Sequence, residues 1–289
     1  MMRLAVTIVL AAAVWAQERP PITGVAHIAL KVKDLGAARA FYGKYLGYGE
    51  VAVPGGQDEA AVFPVGLRQY IEVTPDLKSE TEDRLSHIAF VTTDVKRMRA
   101  YLAGKGVAVR EAQCRVPRGK AIEIRDPDGH RVQFVAYAAD ELAPEAPARI
   151  SPRIGHVGFT IADREGADRL YRDILGLHEV WHGGMTDDGP TNWVAMRVPN
   201  GMDHLEYMLN VHNPSPRTLG VMNHLCLVVD SVDASYQTLL KRERKIADPP
   251  KIGRDGKWQL NLYDVDLTRT ELMEPKPVRK PCCSPYLEN

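Results

Sequence analysis

Apolar residues fall on every second position in four short stretches of the chain. In residues 155–161, Val157, Phe159 and Ile161 take one side, while His156, Gly158 and Thr160 take the other. This is the period of a strand buried on one face. Residues 26–32, 86–91 and 223–228 have the same form, and each opens its strand with a histidine: His27, His87 and His224. A pattern recurring at four places predicts four copies of one unit.

Between these strands the period changes. Ala37, Ala40, Phe41 and Tyr45 share a helical face after the N-cap candidate Asp34, and Gly47 ends the run. In the second copy Asp94 precedes a helix over 95–103, stopped by Gly104 and Gly106. Strands are expected at 60–65 and 70–73 in the first copy, and at 107–110, 120–125 and 131–137 in the second. The turn Asp126-Pro127-Asp128-Gly129 joins the last two. The third copy aligns with the first without a gap from His156/His27 to Val180/Val51, with Asp163/Asp34, Tyr171/Tyr42 and Gly176/Gly47 identical. Tyr42 and Tyr171 are expected to pack their helices. The fourth copy runs from Met222 to Glu274, and its turn, Asp264 to Leu267, has lost the Pro and Gly of its counterpart.

Each copy therefore reads as βαβββ. The fold class is α+β, with four βαβββ units paired into two modules, residues 22–139 and 153–276. Residues 140–152, rich in Ala, Pro and Glu, form the linker, and 277–289 a Pro-rich tail.

Composition narrows the functions. Lys plus Arg (37) equals Asp plus Glu (37), so neither nucleic acid nor an anionic membrane is expected as a partner. Residues 1–16 have a basic start, an apolar run too short to span a bilayer, and Val14-Trp15-Ala16 as a cleavage site. They read as a secretory signal peptide, which implies a periplasmic or secreted protein with no membrane attachment after cleavage. The four cysteines show no metal or disulfide spacing. Cys226 is expected to be inert packing on the buried face of its strand. Cys282 and Cys283 are neighbours, which disfavours a bridge between them.

The chemistry lies on the first and last strands of each copy. The last strands carry Tyr70-Ile71-Glu72, Arg131-Val132-Gln133, His204-Leu205-Glu206 and Arg269-Thr270-Glu271. The second half thus offers His156, Glu206, His224 and Glu271 on one concave sheet. Two imidazoles and two carboxylates suit one divalent ion, Zn, Mn, Fe, Co or Ni, with positions left for substrate oxygens. The first half offers His27, Glu72, His87 and Gln133. A neutral carboxamide replaces the last acid, so this half is expected to be degenerate. His204 shares the face of Glu206 but is expected at the surface. Trp193 and Met196 fall on opposite strand faces, so at most one lines a pocket. Residues 182–190 form either a gate or a plain connection.

The four paired units, and the run Asp126 to Gln133, resemble the vicinal oxygen chelate superfamily of glyoxalase I, extradiol dioxygenases, methylmalonyl-CoA epimerase and bleomycin-resistance proteins. The resemblance spans about residues 22–276. It implies that His156, Glu206, His224 and Glu271 are metal ligands and that Glu271 doubles as the base moving a proton beside a chelated carbonyl. The implied activity is a metal-dependent lyase or isomerase of glyoxalase type acting on a small molecule, as a monomer or homodimer. Export argues against a substrate built on cytosolic glutathione. An extradiol dioxygenase would use His156, His224 and Glu271, but Asn261 stands where that family places its acid–base tyrosine, and Tyr263 is two residues late. A non-catalytic binding protein is the third reading.

Overall fold

In a computed structural model, residues 18–53, 59–116, 119–137, 146–242 and 245–287 are described. The expected signal peptide and residues 140–145 of the expected linker lie outside these ranges.

The first module contains β1 (Ile22–Lys31), α1 (Leu35–Ala38, widening into π-type turns over Arg39–Tyr45), β2 (Ala61–Gly66), β3 (Gln69–Thr74), β4 (Leu85–Thr92), α2 (Val95–Gly104), β5 (Arg110–Cys114), β6 (Gly119–Arg125) and β7 (Arg131–Val135). The second contains β8 (Ile154–Thr160), α3 (Arg164–Ala167, widening over Asp168–Ile174), β9 (His178–Gly184), β10 (Thr191–Arg197), β11 (His204–Met208), α4 (Pro216–Met222), β12 (His224–Val228), α5 (Val232–Lys241), β13 (Lys251–Ile252), β14 (Trp258–Tyr263) and β15 (Arg269–Met273). Each module is one mixed sheet, β2-β3-β1-β4-β7-β6-β5 and β13-β14-β15-β12-β8-β11-β10-β9.

The histidine-bearing strands lie at the centre of each sheet. β1 and β4 run antiparallel, as do β8 and β12, and each pairs in parallel with the last strand of its own unit. The alternation explains this. Val157, Phe159, Leu225, Leu227 and Leu272 are buried in the main core against helix residues such as Ala167, Leu170 and Leu239. The opposite parity, His156, His224 and Glu271, is left to face across the sheet.

Several elements depart from the pattern. The strand that follows the helix in the first unit shrinks, among the described residues, to the single bridge Val51–Val62. The strand expected at 107–110 begins only at Arg110, because Val107 and Val109 pack against the core instead. Helix α4 was not expected from the apolar period. Its signals are local: Ser215 accepts from the Thr218 N–H, and Pro216 occupies the first turn. The turn at 264–267 keeps the geometry of 126–129 despite its altered residues, with Leu267 at φ 67° where Gly129 stands at φ 90°. The left-handed conformation costs a branched residue about 1–2 kcal/mol. Hydrogen bonds from the Asp266 and Thr268 N–H groups to Asp264 Oδ1 hold it there.

The modules are tied reciprocally. Tyr42 donates to Asp264, and Tyr171 to Asp126, at 3.1 and 3.0 Å. The Lys33 N–H donates to Asp266, and the Ala162 and Asp163 N–H groups to Asp128. Between them Gln69 donates to the Val25 and Ile154 carbonyls and to Asp203. The tyrosines therefore do more than fill space, since each joins its helix to the turn of the other module.

The tail is also placed. The Val278 N–H donates to the Gly256 carbonyl, the Cys282 N–H to Arg254 and the Leu287 N–H to Val180, so the segment bridges the β13–β14 hairpin and β9. Cys282 and Cys283 are joined to each other, contrary to the expectation from adjacency, with Cys283 in the left-handed region.

Candidate metal centre

The four second-half residues come from four neighbouring strands: Glu271 on β15, His224 on β12, His156 on β8 and Glu206 on β11. The register makes them converge. Gly158 is the cross-strand partner of both His224 and Glu206, and Cys226 of both His156 and Glu271. The two Nε2 atoms lie 3.2 Å apart. Glu271 Oε2 lies 3.3 Å from His156 and 3.8 Å from His224. Glu206 Oε2 lies 3.4 Å from His224 and 3.9 Å from His156. Two inner imidazoles are thus flanked by two outer carboxylates.

This donor set fits a divalent cation. His224 Nδ1 lies 2.9 Å from the Met222 carbonyl, which places its proton there and turns the Nε2 lone pair inward. Burial would raise both acids, but their partners prevail. The adjoining His224 and His156 side chains hold Glu206 below the usual carboxylate range. Hydrogen bonding to His156, with Arg269 nearby, holds Glu271 at about 2. Both acids are therefore anionic, and together they balance a 2+ charge. Without a cation the imidazoles differ: burial and the Arg269 guanidinium lower His224, whereas at His156 burial is outweighed by Cys226, Glu271 and Glu206.

Three neighbours depart from expectation or were missed. Cys226 does not lie in the packed face. It shares the parity of His224, groups with His156 and Glu271 within 4.8 Å, and could have been placed there by counting two from His224. His204 is not a surface residue: its ring lies on His156 at 4.7 Å. Arg269 Nη2 lies 2.7 Å from His224 Nε2, and only tertiary pairing brings it there. A pocket of about 330 Å3 opens over the centre, lined by Glu206, Glu271, Asn261, Arg269, Trp181 and Trp193, among others. Trp193 faces this pocket and Met196 the core, as the alternation requires. The segment 182–190 is a strand end and a turn, with Asp187 held by Arg254.

The first module repeats the register with other chemistry. His27 and His87 Nε2 lie 2.9 Å apart, and Glu72 groups with them. Yet Arg115 Nε pairs with Glu72 at 3.0 Å, and the Gln133 amide donates to Glu123. Burial, together with the neighbouring His87 for His27 and Arg131 for His87, lowers both imidazoles, His87 to about 3. A larger cavity of about 920 Å3 lies over this face.

Known proteins align with this geometry. A family model described as the Glyoxalase/Bleomycin resistance protein/Dioxygenase superfamily matches residues 24–134 and 153–269. Mitochondrial methylmalonyl-CoA epimerase of Mus musculus is 30% identical over 122 residues, which is 39% of this chain and 67% of that protein. An ethylmalonyl-CoA/methylmalonyl-CoA epimerase of Cereibacter sphaeroides is 30% identical over 124 residues, 39% of this chain and 90% of that protein. Among solved structures, the 2,3-dioxygenase LapB from Pseudomonas sp. KL28 superposes with a TM-score of 0.69 at 14% identity, covering 92% of this chain and 98% of that one. A Mn(II)-bound glyoxalase from Novosphingobium aromaticivorans gives 0.67 at 20% identity, covering 88% and 83%. At these identities the structural matches speak for the fold.

Proposed function

Because this chain belongs to the Glyoxalase/Bleomycin resistance protein/Dioxygenase superfamily, we propose that its second module is a divalent-metal enzyme of isomerase or lyase type. In this reading it moves a proton at a carbon beside a chelated carbonyl. The observation that carries the reading is the placement of Glu206 and Glu271 on either side of the imidazole pair, both opening on one pocket. His156, His224, Glu206 and Glu271 would hold the ion. Bound there, it would stabilise negative charge on the substrate oxygens as the carbon acid loses its proton.

The chain supplies the rest. Glu271 is the base. A carboxylate held beside a divalent cation is a weak base, so Glu271 would have to loosen its bond at the centre before taking the proton. Glu206, across the pair, stands where a proton could be returned from the other side. Trp181 and Trp193 form the aromatic wall of the pocket. The epimerase relatives favour proton transfer over ring cleavage. Among the described residues no tyrosine lines this pocket, and Asn261 occupies the position facing Glu271.

The test is elemental analysis of the native protein and of His156→Ala, His224→Ala, Glu206→Gln and Glu271→Gln, combined with deuterium uptake from D2O into small 2-oxo and 2-hydroxy compounds. The expected result is one ion per chain, lost in the histidine variants, with exchange abolished in Glu271→Gln while metal is retained. Full exchange by metal-loaded Glu271→Gln would remove that residue from the role.

A further inference from the structure

The modules differ at one cross-strand pair of their shared register, Glu123–Gln133 in the first and Asn261–Glu271 in the second, and the exchange leaves an arginine without an ion pair among the described residues. In the first module Glu123 faces Gln133, and Arg131, two residues before Gln133, pairs with Glu123 at 2.7 Å. In the second, Asn261 faces Glu271, and Arg269 stands two residues before Glu271. The carboxylate that should meet Arg269 has become a carboxamide. Among the described residues no acid forms an ion pair with Arg269, and its Nη2 rests on His224 Nε2. Its Nε is buried with no partner, and so is Asn261 Oδ1. Both residues line the pocket.

His224 Nε2 has one lone pair. A metal ion on that nitrogen and a hydrogen bond from Arg269 exclude each other. Filling the centre therefore frees Nη2, and with Nε it forms a two-pronged donor beside the ion. Such a fork matches a carboxylate in bidentate geometry. We propose that Arg269 is a specificity-determining residue that reads the ionised carboxylate of a small 2-oxo or 2-hydroxy carboxylate substrate whose 2-oxygen faces the centre. Asn261 Oδ1 then accepts from a hydroxyl of the same ligand. This rests on the metal-centre reading above.

The experiment uses the full chain loaded with Mn2+ and two probes of one shape, pyruvate and its uncharged amide, pyruvamide. Dissociation constants are read from water-proton relaxation by the bound ion. Arg269→Gln should weaken pyruvate by about tenfold or more and leave pyruvamide within about twofold. Arg269→Lys, which keeps the charge but not the fork, should fall between. Asn261→Glu should restore the missing ion pair and also remove the preference for pyruvate. Equal loss of both probes, or unchanged pyruvate binding, in an Arg269→Gln protein that still holds one Mn2+ overturns the assignment and leaves the metal centre standing. Failure of the unsubstituted protein to bind Mn2+ overturns both.

Discussion

The hydroxyl of Tyr171 lies 3.0 Å from Oδ2 of Asp126, a carboxylate of the other module, and the relation is repeated by Tyr42 and Asp264. A hydrogen bond to a carboxylate contributes about 1.5–3 kcal/mol. Tyr171→Phe and Tyr42→Phe should each lower stability to urea by about that amount, and the double variant by nearly the sum, since the two bonds share no atoms. Metal content should not change. A cost below about 0.5 kcal/mol in each would show that the ring packing, which phenylalanine keeps, and not the hydroxyl bond ties the modules.

Gly158 lies beneath the His224 ring, and a Cβ added there would fall inside the ring atoms. Its φ is not in the left-handed region, so the need is for space rather than conformation. Gly158→Ala should push His224 out of the centre and lower metal affinity by about tenfold or more, at about 1–3 kcal/mol of stability. The first module carries Ala29 at the equivalent register position, facing both His87 and Glu72. Retention of full metal affinity by Gly158→Ala would mean that His224 is not a ligand.

Metal analysis should return one equivalent per chain. In the first module Arg115 already holds Glu72, and Gln133 supplies no charge, so a cation there would face two imidazoles and a neutralised acid. Arg115→Ala should loosen Glu72 and begin to admit a second ion. Two equivalents in the unsubstituted chain would contradict this account.

Burial pushes Asp264 up to about 6, above the ordinary aspartate value of 3.8. The sign follows from linkage. The protonated form is favoured by folding, so the contribution of Asp264 is complete below about pH 4 and is lost as pH rises through about 6. The change amounts to about 3 kcal/mol. Asp264→Asn cannot ionise. Its deficit relative to the unsubstituted protein, measured by urea unfolding of metal-free samples, should therefore shrink between pH 4 and pH 7. Parallel curves for the two proteins would exclude the mechanism.

Period-two alternation was enough to place His156, His224, Glu206 and Glu271 on one face of one sheet, because side-chain direction in a strand is a local property. The repeat was enough to pair the units, because four copies of one pattern demand one architecture. Alternation also puts Cys226 on the face of His224, but the expectation that a strand cysteine is packing overrode it, and the structure places its thiol with His156 and Glu271. Other features had no local signal. The packing of the His204 ring against His156, the reach of Arg269 to His224 and the exchange of Tyr42 and Tyr171 between modules depend on which strands are neighbours and on how the sheets meet. Asn261 in place of Glu123 is visible in the sequence. Its consequence, an arginine with no ion-pair partner among the described residues beside the centre, exists only where β14 lies against β15, since cross-strand register decides which charges meet.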